Sequence, residues 1–332
     1  MSSGVDFAAL GIAVGHSTDA VGATGLTVIR GVDQPLRAGY AVLGRATGAR
    51  DLLAASPDHL LDGRIDAIML TGGSAYGLDA AAGVMRWMEE HRRGFLFRVG
   101  VVPIVPAAVV FDLVPFGKAS ARPTPDMAFA ATESATSANI AEGSVGVGTG
   151  CTVGKVRGAK WGMKGGFGCA MEHTDDNSII VGAMVVVNAF GDIRDAKGEI
   201  LAGARGPDGK FIDATRVLRS GSTASEQRDA NQAAQNTTLA VVATNILMTS
   251  VELTQLARAA GAALYRRITP CGSSVDGDIV FAVSAAEATR VAFTPMIVES
   301  LAVAALEKAI ERAVRLARGR EGVPGLADDN GD

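Results

Sequence analysis

Asn236-Thr237-Thr238-Leu239-Ala240-Val241-Val242-Ala243-Thr244-Asn245 opens a β-branched, strand-like run directly behind a long polar stretch, with threonine at the junction. If the Asn236–Thr237 bond were cut, Thr237 would begin a new chain, its hydroxyl a nucleophile and its own α-amino group the adjacent base. The segment ahead of it, Arg205 to Asn236, is rich in Gly, Asp, Arg, Ser, Gln and Asn and carries few apolar side chains. A loop of that length inside a compact protein is usually functional or disordered. A polar leader before a buried strand suits a self-cleaving precursor, because the upstream piece must move away to open the site.

Working outward, Ala67-Ile68-Met69-Leu70, Val99–Val110 and Ile179–Val187 read as buried strands, the middle one weakened by Pro103 and Pro106. Segment 76–91 predicts a helix, with Leu78, Ala81, Ala82, Met85 and Met88 at three-and-four spacing. Thr249-Ser250-Val251-Glu252 is a capping-box pattern, followed by a stripe of Leu253, Leu256, Ala257 and Ala260. A third helix is expected from Pro295 to about Arg318, with Val298, Leu301, Ala305, Ala309, Ala313 and Leu316 facing inward and Gly319 past its end. The residues from Gly322 onward are polar and expected to fray. Strands and helices alternate irregularly, which predicts an α/β or α+β layered fold.

Composition narrows the function classes. The 332 residues are 48% hydrophobic and 20% charged, enough to bury a substantial core without a metal or disulfide staple. A net charge of −4 without a basic cluster argues against nucleic acid as a partner. Cys151, Cys169 and Cys271 are far apart, form no CxxC pair and have no histidine at metal-ligand spacing, so they read as buried thiols in a reducing compartment. No membrane span or secretory pattern is apparent, and the expected location is cytoplasmic. His16, His59, His91 and His173 are isolated and read as structural or surface residues.

Three further patterns bear on chemistry. In Ser274-Val275-Asp276-Gly277-Asp278-Ile279, two carboxylates two residues apart precede an apolar strand and would project to one side of an extended chain. Such a pair could hold and tune the amine and hydroxyl of Thr237. They could equally be solvated turn aspartates. The glycine-rich run Gly143–Lys155 fails as a phosphate loop, because Gly150 and Gly154 enclose three residues where four are needed and Val156 replaces the magnesium-binding hydroxyl. It is expected instead to form a wall that a substrate backbone approaches closely, with Lys155 as a cation at its edge. Asn188, ending the run Met184–Val187, is either a turn former or an oxyanion donor.

Together, Asn236-Thr237-Thr238, Val251-Glu252-Leu253 and Asp276-Gly277-Asp278-Ile279-Val280-Phe281-Ala282-Val283 resemble the L-aminopeptidase/D-esterase family of self-processing hydrolases. Within it, the likeness is to the branch of the 6-aminohexanoate-oligomer (nylon oligomer) hydrolase. Gly22-Ala23-Thr24-Gly25-Leu26-Thr27-Val28, Thr71-Gly72-Gly73-Ser74-Ala75-Tyr76-Gly77-Leu78 and Pro106-Ala107-Ala108-Val109-Val110-Phe111-Asp112 agree in order and spacing.

The resemblance implies a four-layer αββα sandwich of the N-terminal-nucleophile type. It also implies autocleavage between Asn236 and Thr237 into a 1–236 chain, with its linker at 205–236, and a 237–332 chain that stay together as one domain. Homo-oligomeric, tetrameric assembly is implied as well. Thr237 would be the nucleophile, Asp276 and Asp278 its supporting network, Lys155 its neighbour and Asn188 the oxyanion donor, while Tyr76 and Phe111 would border the substrate. No metal or cofactor is expected. Phe111 stands where some relatives place a tyrosine, and Val102–Val110 lacks the carboxylate that the aminopeptidase branch offers a free amine. The first removes a hydroxyl that could assist the oxyanion; the second favours an amidase for internal or ω-amino-acid amides over a β-peptidyl or D-amino-acid aminopeptidase. Acyl transfer and a non-catalytic binding role are the other readings.

Overall fold

The computed structural model describes residues 4–221, 235–289 and 293–328. Its helices are α1 (Ala81–Glu90), α2 (Pro125–Glu133), α3 (Ala214–Arg219), α4 (Ser250–Arg267) and α5 (Pro295–Arg315). One sheet has six strands in the order Gly166–His173, Ile180–Asn188, Thr237–Ile246, Ile279–Thr289, Leu36–Val42 and Arg64–Ile65. A second has five, in the order Ile12–Asp19, Thr24–Gly31, Ala67–Thr71, Ala107–Val109 and Ala49–Arg50.

Side-chain alternation stacks these sheets. Along Thr237–Ile246, Leu239, Val241 and Ala243 join Ile12, Ile29, Ile68 and Leu70 of the five-stranded sheet in one core, while Ala240 and Val242 join a second core with α4 and α5. Leu26, Val28 and Met69, on the far face of the five-stranded sheet, pack against α1 and α2 in a third. The order is therefore helix, sheet, sheet, helix, as expected. A strand in the middle of such a stack is covered on both faces, which is why 237–246 lacks a polar side. It lies antiparallel to Ile180–Asn188, with Asn188 opposite Thr237, and parallel to Ile279–Thr289.

Local signals account for the helices best. Thr249 Oγ1 accepts the Glu252 N–H and Glu252 Oε2 accepts the Thr249 N–H, completing the capping box; Leu253, Leu256, Ala257 and Ala260 are all buried. Helix α5 starts at Pro295 as expected but closes at Arg315, with Leu316 as its cap. Its buried face runs through Ala302, Leu306, Ile310 and Val314 beside Ala305, Ala309 and Ala313; Leu301 and Leu316 are only half-buried.

Several expectations need correction. Residues 74–80 form a 3₁₀ segment entered through left-handed Gly73, so α1 begins at Ala81 rather than at 76. The run Val99–Val110 is two short strands, Gly100–Val102 and Ala107–Val109, interrupted where Pro103 and Pro106 cannot donate to a ladder. The described part of the 205–236 segment is structured: Arg205 pairs with Phe211, and Asp213 caps α3 through the Thr215 and Arg216 amides. Residues 222–234 lie outside the described residues. The chain beyond Gly322 is docked as far as Asp328, with Val323 buried and Asp328 accepting the Gly319 and Gly325 amides. Among the described residues, no helix is long and apolar enough to cross a membrane.

Candidate active site

Thr237 is the first residue of the strand Thr237–Ile246 and is 4% exposed. The peptide ahead of it is held from both sides. Asn236 bridges Asp276 in parallel register, and the Gly277 N–H donates to the Asn236 carbonyl at 2.8 Å. Gly277 is also where a side chain would collide, because a Cβ there would lie 2.9 Å from Thr237 Oγ1 and 2.8 Å from the Ala46 carbonyl.

One residue upstream, the Gln235 carbonyl accepts from Lys155 Nζ (3.1 Å) and Asn188 Nδ2 (3.2 Å). Lys155 Nζ also donates to the Asn188 carbonyl (3.0 Å) and to Asn188 Oδ1 (2.8 Å). Asn188 is fixed in turn, since its Nδ2 donates to the Phe111 carbonyl at 3.0 Å and its Oδ1 accepts the Thr152 amide at 3.0 Å. Burial depresses the Lys155 ammonium to about 7, with the nearby Cys151 and Asp276 opposing the shift. An amine with that proton affinity can change protonation state near neutral pH.

Asp276 and Asp278 flank Gly277, and both are 2% exposed. Asp278 Oδ1 accepts the Thr238 N–H at 2.6 Å, and its Oδ2 accepts from Cys271 Sγ (3.3 Å) and the Gly272 N–H (3.2 Å). Asp276 Oδ2 accepts the Ser273 amide and hydroxyl at 2.9 and 2.6 Å. Burial first, and the Asp276 charge second, raise the Asp278 carboxyl to about 7. Among the described residues, neither carboxylate hydrogen-bonds the Thr237 hydroxyl; Asp278 reaches the next residue's amide instead.

The structure thus brings Asn236, Thr237, Asp276, Asp278, Lys155 and Asn188 into one connected group, with Phe111 joined through its carbonyl. Tyr76 shares no hydrogen bond with that group; it is exposed, and the Arg122 guanidinium lies 3.4 Å from its ring centroid. The Gly143–Lys155 run takes a different part from the expected one. At Gly148 a Cβ would meet the Phe167 amide at 2.4 Å, and at Gly154 the Ala204 amide at 2.2 Å, so these glycines admit the protein's own backbone.

Three further residues bear on the site although no pattern in the sequence gives them a role there. Asp112 is fully buried, accepting Thr24 Oγ1 and the Gly73 N–H at 2.7 Å each, and burial lifts its carboxyl to about 6. Lys164 is buried beside it, donating to the Thr149 and Cys151 carbonyls, and burial lowers it to about 8. Together they brace the backbone next to Phe111 and Thr152, the two anchors of Asn188. Cys271 is only half-buried, unlike Cys151 and Cys169, and burial beside Asp278 raises its thiol far above the ordinary range. Among the described residues, no three His, Cys, Asp or Glu side chains are grouped to hold a metal.

The family model of peptidase family S58 matches residues 9–326. The chain belongs to that family. It is 39% identical over 249 residues to an uncharacterised aminopeptidase of Mycobacterium leprae, covering 70% of this chain. It spans only 64% of that protein's length. It is 32% identical over 290 residues to a 6-aminohexanoate-oligomer endohydrolase of Paenarthrobacter ureafaciens, covering 83% of this chain and 74% of the relative. The L-aminopeptidase D-Ala-esterase/amidase of Ochrobactrum anthropi, described as a variant of the Ntn hydrolase fold, superposes with a TM-score of 0.69 at 21% identity, over 98% of this chain and 90% of that one. That likeness is one of fold, and it agrees with the layered architecture.

Proposed function

We propose that this S58 chain is a self-processing amide hydrolase whose nucleophile is Thr237. The observation that carries the reading is the hydrogen bond from the Gly277 N–H to the carbonyl of Asn236, the carbonyl that Thr237 would attack. A donor in that place can stabilise the oxyanion of a tetrahedral intermediate, an effect worth roughly 3 to 4 kcal/mol per donor in dry sites. Lys155 and Asn188 hold the preceding carbonyl and so fix the peptide's direction.

In processing, the Thr237 Oγ–C bond forms at the Asn236 carbonyl carbon, and the C–N bond to Thr237 breaks as that nitrogen gains a proton. The α-amine is bound in the peptide at this stage and cannot be the base. The proton that leaves the Thr237 hydroxyl is balanced by the one the departing nitrogen gains, so the acyl shift consumes and releases no net proton. Water then cleaves the ester, leaving a 1–236 chain that ends in a carboxylate and a 237–332 chain with a free threonine amine. In turnover that amine, with an ordinary pKa of about 8, takes the hydroxyl proton as the hydroxyl attacks a small peptide-like or ω-amino-acid amide. Water releases the acyl group.

Intact-mass measurement of the incubated protein tests this. Two fragments are expected, the smaller beginning at Thr237, and Thr237→Ala is expected to remain one chain without hydrolase activity. Cleavage and hydrolysis surviving in Thr237→Ala would refute the assignment.

A further inference from the structure

A buried ammonium without an ion pair is costly to keep, and Lys164 is one. It is 1% exposed; its Nζ donates to the Thr149 carbonyl at 2.9 Å and the Cys151 carbonyl at 2.7 Å, and lies 5.1 Å from the Phe116 ring centroid. Asp112 and Arg320 act on it by charge, and Cys151 stays a neutral thiol because burial pushes it up to about 12. Among the described residues, no carboxylate forms a salt bridge with Lys164.

The effect of this cation lies one bond further on. The Cys151 carbonyl and the Thr152 N–H belong to one peptide group, and that N–H donates to Asn188 Oδ1 at 3.0 Å. Drawing electron density toward the carbonyl oxygen makes the N–H of the same group a stronger donor. The Gly165 N–H shares the Cys151 carbonyl at 3.0 Å but brings no net charge. Asn188 is held from its oxygen side: the Thr152 N–H and Lys155 Nζ fix Oδ1, which turns Nδ2 to the carbonyls of Phe111 and Gln235. A flipped amide would set Nδ2 against those two donors and Oδ1 against the two carbonyls.

We infer that Lys164 is a positioning residue for the reaction, acting through the Cys151–Thr152 peptide to hold the Asn188 amide in the orientation that grips the peptide ahead of Thr237. Its own side-chain hydrogen bonds reach neither Thr237 nor Asn236. The inference rests on the self-processing reading of Thr237. Thr152 and Lys164 also pair in a two-stranded ladder through their backbones, so removing the side-chain charge leaves that pairing available.

The test compares the parent with Lys164→Met, close to lysine in length but uncharged. Processing is followed by intact mass. The Asn188 side-chain amide is followed by NMR in Thr237→Ala chains labelled at asparagine nitrogen, its signals assigned by their loss in Asn188→Asp. Lys164→Met is expected to slow processing at least about tenfold, the scale of one charge-assisted hydrogen bond in a buried site. It is also expected to shift the Asn188 amide signals and speed their exchange with solvent. Slower processing with unchanged Asn188 signals would mean that Lys164 acts elsewhere, and overturns the inference. So does a folded Lys164→Met that processes within tenfold of the parent. If circular dichroism shows Lys164→Met unfolded, Lys164→Gln, which keeps a donor without the charge, is held to the same two criteria. Failure of both to fold overturns the inference, because the residue then serves the fold rather than the reaction. A parent chain that never cleaves overturns the self-processing reading and this inference together, whereas a parent that cleaves keeps its nucleophile whatever Lys164 does.

Discussion

Replacing Gly277 by alanine probes the closest approach in the site. The new Cβ would lie 2.9 Å from Thr237 Oγ1 and 2.8 Å from the Ala46 carbonyl, both nearer than real Cβ contacts come. Ala46 cannot retreat easily, because its N–H is bound to the Asp276 carbonyl at 2.9 Å. The Asp276–Gly277 backbone must therefore shift, carrying the Gly277 N–H off the Asn236 oxygen. Overpacking of this kind costs about 1 to 3 kcal/mol. If that cost falls on the tetrahedral intermediate, processing slows roughly 5- to 150-fold, at 1.36 kcal/mol per factor of ten. The assay is a time course of precursor conversion by denaturing electrophoresis, with circular dichroism showing that the variant is folded. Folded Gly277→Ala that cleaves at the parent rate would refute the claim that this N–H supports the reaction.

Two other perturbations address stability, both in an uncleavable Thr237→Ala background. Asp278 has a folded-state carboxyl near 7 against an ordinary 3.8, so the folded state binds its proton more tightly, and this contribution is full below about 4 and lost as pH rises to about 7. The fall in Tm between pH 4.5 and 7.5 should accordingly be shallower with Asp278→Asn than without it, and parallel curves would contradict the assignment. Glu142 has a fully buried side chain that accepts the Cys169 N–H and Arg312 Nε, each at 2.9 Å. Removing Arg312, which is 38% exposed, leaves that carboxylate without its cation, so Arg312→Ala should cost about 3 kcal/mol in urea unfolding, at the lower end for a broken buried pair because water can reach the gap. An unchanged midpoint would show that solvent already does the work of Arg312.

Much of the architecture could be read from the chain because it is written in local patterns. The Thr249–Glu252 box, Pro295 and the apolar run from Leu239 to Ala243 each specify an element through neighbours only a few positions away. The 3₁₀ entry to α1 was not legible, since it depends on Gly73 being held by Asp112 from 39 residues away. The same limit hid Asp112 and Lys164, which are unremarkable polar residues until tertiary packing buries them. Lys155 and Asn188 could be singled out, but their contact, across 33 residues, could not be derived from spacing. Gly277 read only as a turn glycine between two aspartates; its nearness to the Thr237 hydroxyl comes from the parallel pairing of the strands that follow.

That pairing also bears on the molecularity of folding. In the six-stranded sheet, the strands Thr237–Ile246 and Ile279–Thr289 lie side by side, flanked by Ile180–Asn188 on one edge and Leu36–Val42 on the other. A break before Thr237 would place the central pair on one polypeptide and both flanking strands on another. Unfolding would then release two bodies from what had been one, and the way back would be second order. The intact precursor should regain its fold at a rate indifferent to dilution, whereas the processed pair should refold more slowly the more dilute it is. Assembly would be encoded in the uncut chain, and processing would make it a one-way event.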